Sequence, residues 1–124
     1  MQILCGTDII EIKRIKEGIE ELGDNFTSRI FTEKEIEYCE QKKKQKFQHY
    51  AARFTAKEAV FKALSKMLEN KFDLTWKNIE ITNEKDGRPM VTIIGISIKG
   101  IESIDLSMSH CKEYAVATAI AVIK

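Results

Sequence analysis

The stretch RFTAKEAVFKA, residues 53–63, sets Arg53, Lys57, Glu58 and Lys62 among Phe54, Ala56, Ala59, Val60, Phe61 and Ala63. On a helix, at about 100° per residue, Phe54, Glu58 and Phe61 share one face. Lys62 follows Glu58 by one turn, and Arg53 and Lys57 flank Val60 and Leu64. A carboxylate among phenylalanines needs a partner, because an unpaired buried charge is strongly disfavoured. One partner is Lys62 itself, in an i, i+4 pair contributing about 0.2–0.5 kcal/mol. The other reading is a site in which Glu58 holds a cation and Lys62 meets an anion, and it needs a second carboxylate from elsewhere. Asp8, after Gly6-Thr7 near the end of an apolar run, is the candidate, although an aspartate there also serves as a turn residue or helix cap. His110, in SMSHCKEYA, is a third outlier. Its neighbour Cys111 raises the thought of a nucleophile, but consecutive strand residues point to opposite faces and no further residue completes a Cys/His set. A phosphate or hydroxyl contact suits His110 better.

The elements that must position these residues follow from periodicity. QILCGTDII has strand character, with Gly6 permitting a turn or bulge near Asp8. Ile12, Ile15, Ile19 and Leu22 form the stripe of an amphipathic helix that Gly23 ends, with Lys13, Arg14 and Lys16 on its other faces. Thr32 and Glu35 in TEKE make a capping box for a second helix, which turns Ile36 and Cys39 inward and ends near the basic run 42–46. The charged helix is expected from about Gln48 to Leu68. NIEIT and MVTIIGI flank NEKDGRP, whose Asp86-Gly87 signals a hairpin. SIDLSMSH and EYAVATAIAVI close the chain as two further strands, separated by a break at residues 110–112. The sum is an α+β domain with a mainly antiparallel sheet.

The chain of 124 residues, with one proline and no repeat, is expected to form one domain over residues 1–124. Its 20 basic and 19 acidic residues nearly cancel, so no global field marks a nucleic-acid binder. The three cysteines, Cys5, Cys39 and Cys111, show no C-x-x-C pair, which fits a reducing cytoplasm rather than a disulfide framework or zinc site. MQILCGTDII lacks the features of an export signal, and no stretch of about 18 apolar residues offers a membrane span.

Taken in order, GTDIIEIKRI (6–15), RFTAKEAVFKAL (53–64) and LSMSHCKEYAVA (106–117) resemble the three signatures of the phosphopantetheinyl transferases. With FTEKEIEYC and NEKDGRP, the resemblance covers nearly the whole chain and is to the short, single-repeat branch. It implies transfer of the 4'-phosphopantetheine arm of coenzyme A to a serine of apo acyl carrier protein, releasing adenosine 3',5'-bisphosphate, in fatty acid biosynthesis. It also implies a homotrimer that holds coenzyme A in clefts between subunits.

By the same resemblance, Asp8 and Glu58 are the Mg2+ ligands, and two hard carboxylates completed by waters and a diphosphate oxygen suit that ion. Lys62 meets the bridging or leaving oxygens, and Glu58, directly or through a water, takes the serine proton. Arg53 and His110 bind the 3'-phosphate end of coenzyme A, and Gly87 and Pro89 pass the adenine. Arg14, with Lys13 and Lys16 nearby, meets the acidic helix of the carrier protein. Two departures from the pattern stand out: no glycine follows Leu64 until Gly87, and Cys111 takes the place of a threonine. A metal-dependent phosphoesterase using Asp8 and Glu58, and a non-catalytic module binding an acidic partner, are the alternative classes.

Overall fold

The computed structural model describes residues 1–124. Strand β1 (Gln2–Glu11) runs directly into helix α1 (Ile12–Leu22), followed by α2 (Asp24–Ile30), α3 (Glu33–Glu40) and the long α4 (Lys46–Leu64). Strands β2 (Ile79–Asn83), β3 (Pro89–Ile93), β4 (Ile101–His110) and β5 (Tyr114–Ile123) complete the order. The expected single antiparallel sheet is two: β1-β5-β4 and the separate hairpin β2-β3. The α+β class stands, with all pairings antiparallel.

Alanine decides how closely the layers approach. On β5, Ala115, Ala117, Ala119 and Ala121 alternate inward and are all buried, the last three packing with Ala56, Ala59 and Ala63 of α4 and Ala115 with Ala51 and Ala52 of the same helix. Small side chains on both surfaces let helix and sheet pack closely, and Val60, Leu64, Leu106 and Ile123 fill the margins. Gly6 belongs to this seam. It makes no turn or bulge, since β1 pairs with β5 in unbroken register through Gly6↔Ala119 and Asp8↔Ala117. A Cβ at Gly6 would run into the Ala59 carbonyl oxygen and lie 2.6 Å from the Ala63 nitrogen, so only glycine lets the strand pass the helix there.

The helical boundaries differ modestly from expectation. α4 starts two residues earlier, at Lys46, and its expected last turn is a 3-10 turn, Ser65–Met67, rather than α-helix. α2 was not foreseen, its seven residues being too few to display a period. Leu22 of the predicted α1 stripe is 54% exposed, whereas Ile12 and Ile15 are buried. The MVTIIGI strand ends at Ile93, and Gly95 follows with φ of 80°. The Asp86-Gly87 turn forms as expected, with Gly87 at φ 89° and Asn83 opposite Pro89.

Thr32 and Glu35 form the capping box at α3, but Glu35 does more than cap. Its carboxylate is fully buried, accepts backbone N–H bonds from Thr32 and Ile81, each 2.8 Å, and pairs with Lys57 at 2.6 Å. Lys57, also fully buried, donates to the carbonyls of Ile30 and Trp76, both 2.9 Å. Lys57 is therefore an internal tie and lines no cleft. It ties α4 to the end of α2, the start of α3 and the chain before β2. Burial favours the neutral forms, pushing the Glu35 carboxyl up and the Lys57 ammonium down against their mutual attraction. Lys57→Met, which strands the buried carboxylate, is expected to lower stability by about 3–5 kcal/mol in urea unfolding. The double variant Lys57→Met/Glu35→Gln should lose distinctly less, because the amide oxygen still accepts an N–H bond without a charge.

Candidate active site

Two side chains of α4 converge on the edge of β1. Thr55 Oγ1 donates to Asp8 Oδ2 at 2.6 Å, and Lys62 Nζ donates to Asp8 Oδ1 at 3.2 Å and to the Thr7 carbonyl at 3.0 Å. Thr55, Glu58 and Lys62 stand at i, i+3 and i+7, one stripe of the helix. The i, i+4 pair between Glu58 and Lys62 does not form. Lys62 reaches across to Asp8, and Glu58 Oε1 instead accepts the indole N–H of Trp76 at 2.5 Å. With Lys62 about half exposed, its ion pair contributes at most about 1 kcal/mol and can rearrange when a stronger charge arrives.

Asp8 and Glu58 line one cavity of about 400 Å3 together with Arg14, Phe54, Phe26 and Trp76. The structure thus brings Asp8, Glu58, Lys62 and Arg14 together, on β1, α4 and α1. No set of three or more acidic, histidine or cysteine side chains gathers as a metal cage, so a cation in this cavity has at most the two carboxylates that line it. That donor set fits Mg2+, which binds through one or two carboxylates and retains waters. A second, mainly apolar cavity of about 330 Å3, lined by Phe61, Phe72, Leu74 and Ile79, opens on the other side of Glu58 and Trp76.

Arg53 occupies a different face of α4, about 140° from Glu58 at 100° per residue. It is buried, stacked on Tyr38 with the guanidinium carbon 3.8 Å from the ring centroid, and donates to Asn83 Oδ1. Asn83 in turn donates to the Gly87 carbonyl at 2.9 Å, linking Arg53 to the hairpin turn that carries Gly87 and Pro89. Arg53 Nε is a buried donor with no partner. Tyr38 also meets His49 edge-on, and His49 meets His110, with ring centroids 5.6 Å and 5.9 Å apart. Arg53, Gly87 and His110 are therefore parts of one basic cluster, and Pro89 lies in an adjoining groove with Arg88, Leu106 and Met108.

Lys13 and Lys16 stand on a third surface. Lys13 lies 3.9 Å from Glu17, Lys16 sits over Phe47, and both line a groove with Lys44 and Lys112 rather than joining Arg14 in the cavity of Asp8. Cys111 lies in the turn between β4 and β5, not on a strand, and backbone N–H groups of Glu113 and Tyr114 hold its thiol below the usual range. Cys39, by contrast, is pushed up to about 12 by burial.

Thr55, Trp76, Asn83, Tyr38 and His49 were not singled out from the sequence. Thr55 carried a usable signal, its spacing of three from Glu58 and seven from Lys62. Trp76 and Asn83 come from the segment beyond α4 and reach α4 only through the tertiary fold.

A profile of the 4'-phosphopantetheinyl transferase superfamily matches residues 4–119, and the chain belongs to that superfamily. Within it, the chain is 45% identical over 125 residues to the holo-[acyl-carrier-protein] synthase of Ruminiclostridium cellulolyticum, covering 97% of this chain and 92% of that protein. It is also 45% identical to the holo-[acyl-carrier-protein] synthase of Chlamydia pneumoniae, over 98% of this chain and 99% of the relative. The fold matches the ACPS–coenzyme A complex described for Chronobacterium ammoniagenes with a TM-score of 0.84, at 25% identity over 100% of this chain and 99% of the other. It matches the Bacillus anthracis holo-(acyl-carrier-protein) synthase, in complex with CoA (3',5'-ADP), with a TM-score of 0.75 at 34% identity over 95% and 94%.

His49 carries a pH dependence of its own. Burial, then the charges of Lys42, Arg53 and His110, lower it from the ordinary 6.5 to about 4. The unfolded chain thus takes up the proton first, and the stability this histidine contributes above pH 6.5 is lost as pH falls towards 4. In His49→Leu, thermal unfolding midpoints are expected to fall less between pH 6.5 and 4 than in the wild type.

Proposed function

We infer that this chain transfers the 4'-phosphopantetheine arm of coenzyme A to a serine of apo acyl carrier protein, giving the holo carrier and adenosine 3',5'-bisphosphate. The observation that carries this reading is the pair Asp8 and Glu58 on one cavity, with Lys62 bound to Asp8, in a member of this superfamily. A serine hydroxyl attacks the phosphorus bearing the arm, and the adenosine-side phosphate leaves.

Asp8 and Glu58 hold Mg2+, which supplies charge neutralisation and alignment of the diphosphate. Lys62, half exposed and within reach of Asp8, exchanges that contact for the bridging or leaving oxygens. Glu58 accepts the serine proton, directly or through a water. Arg53 and His110 hold the 3'-phosphate. The partnerless Nε of Arg53 supports an anion there, since a planar guanidinium binds phosphate through paired charge-assisted bonds. Gly87, beside Arg53 through Asn83, and Pro89 pass the adenine. Arg14, exposed at the mouth of the carboxylate cavity, meets the acidic carrier, and Lys13 and Lys16, on a neighbouring groove that Glu11, Glu17 and Glu20 also line, steer the encounter.

The two halves of this site face different ways on one chain, the carboxylates on one side of α4 and the Arg53 cluster on another. A single coenzyme A meets both when the carboxylates of one copy stand beside the cluster of the next, as in a homotrimer with intersubunit clefts. The uncovered face of β1-β5-β4 supports such an assembly: Ile3 is 62%, Ile9 63% and Ile120 43% exposed, beside Val116 and Val122. No helix is long and apolar enough to cross a membrane, and Cys5, Cys39 and Cys111 are all unpaired, in keeping with a cytoplasmic enzyme.

Intact mass of apo acyl carrier protein incubated with this protein, coenzyme A and Mg2+ is expected to rise by one phosphopantetheine group, and not after chelation. Asp8→Asn and Glu58→Gln should each slow transfer by about a hundredfold or more, the scale of losing one preorganised electrostatic contact at a reacting phosphate. No mass gain with several apo carriers would refute the transferase reading. Light scattering is expected to give a trimer, and Ile9→Asp, which charges the open face, is expected to yield monomers that no longer transfer.

A further inference from the structure

Trp76 is the chain's single tryptophan, and the transfer reaction described above assigns it nothing. It opens a 3-10 turn, Trp76–Asn78, whose start is closed by a capping box between Thr75 and Asn78. Its carbonyl accepts from the buried Lys57 ammonium at 2.9 Å, so the backbone at this residue is fixed from inside the protein. Its ring leans on Phe54, with centroids 5.9 Å apart, and its N–H donates to Glu58 Oε1 at 2.5 Å. The ring borders both the carboxylate cavity and the apolar cavity beyond it.

We propose that Trp76 is a positioning residue for Glu58, holding one carboxylate oxygen so that the other is presented to the cation and the attacking hydroxyl. A glutamate on a helix surface samples several rotamers. A charge-assisted N–H bond from a ring that leans on Phe54, on a backbone held by Lys57, favours one of them. Indole donates only, and so it neither competes for the cation nor takes the proton. The restraint originates in the core: Glu35 holds Lys57, Lys57 holds the Trp76 carbonyl, and the indole holds Glu58. In sites of this kind, partners that orient a metal-binding carboxylate typically account for a 10- to 100-fold effect on metal affinity or activity.

The contact itself is independent of the transferase reading, whereas its kinetic consequence rests on that reading, and the test separates them. In 15N-labelled protein the one indole N–H is expected to exchange slowly with water in the wild type and distinctly faster in Glu58→Gln, which weakens its acceptor. Trp76→Phe keeps the ring against Phe54 and removes only the N–H. It is expected to retain the wild-type circular dichroism and a KM for coenzyme A within about twofold. Its kcat should fall about tenfold, and the Mg2+ concentration for half-maximal rate should rise about tenfold. An indole N–H whose exchange is unchanged in Glu58→Gln, or a Trp76→Phe variant with wild-type kcat and Mg2+ dependence, overturns the proposal. A wild-type protein that transfers nothing overturns the transferase reading, and the indole exchange still decides the contact.

Discussion

An ammonium group with no access to water organises this protein. Lys57 Nζ satisfies its three donors on Glu35, the Ile30 carbonyl and the Trp76 carbonyl, drawing together segments that have no strand or helix pairing of their own. A buried ion pair of this kind is a weak source of net stability, since desolvation offsets much of the attraction. Its effect is geometric. Apolar packing is tolerant of small displacements, whereas three directional bonds to one nitrogen fix the end of α2, the cap of α3 and the approach to β2 relative to α4.

α4 then serves as the common frame for two chemistries. One of its faces carries Thr55, Glu58 and Lys62 toward Asp8 on β1, and another carries Arg53 toward Tyr38, Asn83 and the hairpin. Between them the alanines and Val60 pack on β5. This is why the helix has no single polar side and why its charges look misplaced in the sequence. They are distributed among an internal tie, a carboxylate cluster and a basic cluster, and each has a specific counterpart elsewhere in the fold.

What could be read from the sequence follows the same division. Local rules were sufficient for the Thr32–Glu35 capping box, the Asp86-Gly87 turn and the alternating strands β4 and β5, because each depends on residues within a few positions. Asp8 is a candidate partner for Glu58 from its place after Gly6-Thr7, the resemblance makes the two a ligand pair, and the structure joins Asp8 to α4 through Lys62 and Thr55. Long-range partners were less accessible. An i, i+4 rule put Lys62 on Glu58, yet a strand edge lying beside the helix offered Lys62 the carboxylate of Asp8 together with a backbone carbonyl. Lys57 was indistinguishable from its charged neighbours until the fold enclosed it. Gly6 looked like a turn signal, since sequence alone does not separate a glycine needed for its backbone freedom from one needed for its missing side chain.

The alanine seam has a consequence for how this fold tolerates change. Asp8 stands on the strand side of the seam and Glu58 on the helix side, so the thickness of a methyl group acts as the spacer that sets their separation. Enlarging Ala59, Ala63 or Ala117, or giving Gly6 a side chain, would push the helix from the sheet and disturb the spacing of the carboxylates. These small residues therefore set the spacing of the two carboxylates together with the core volume, and the least chemically distinctive positions in the chain become the gauge of the site.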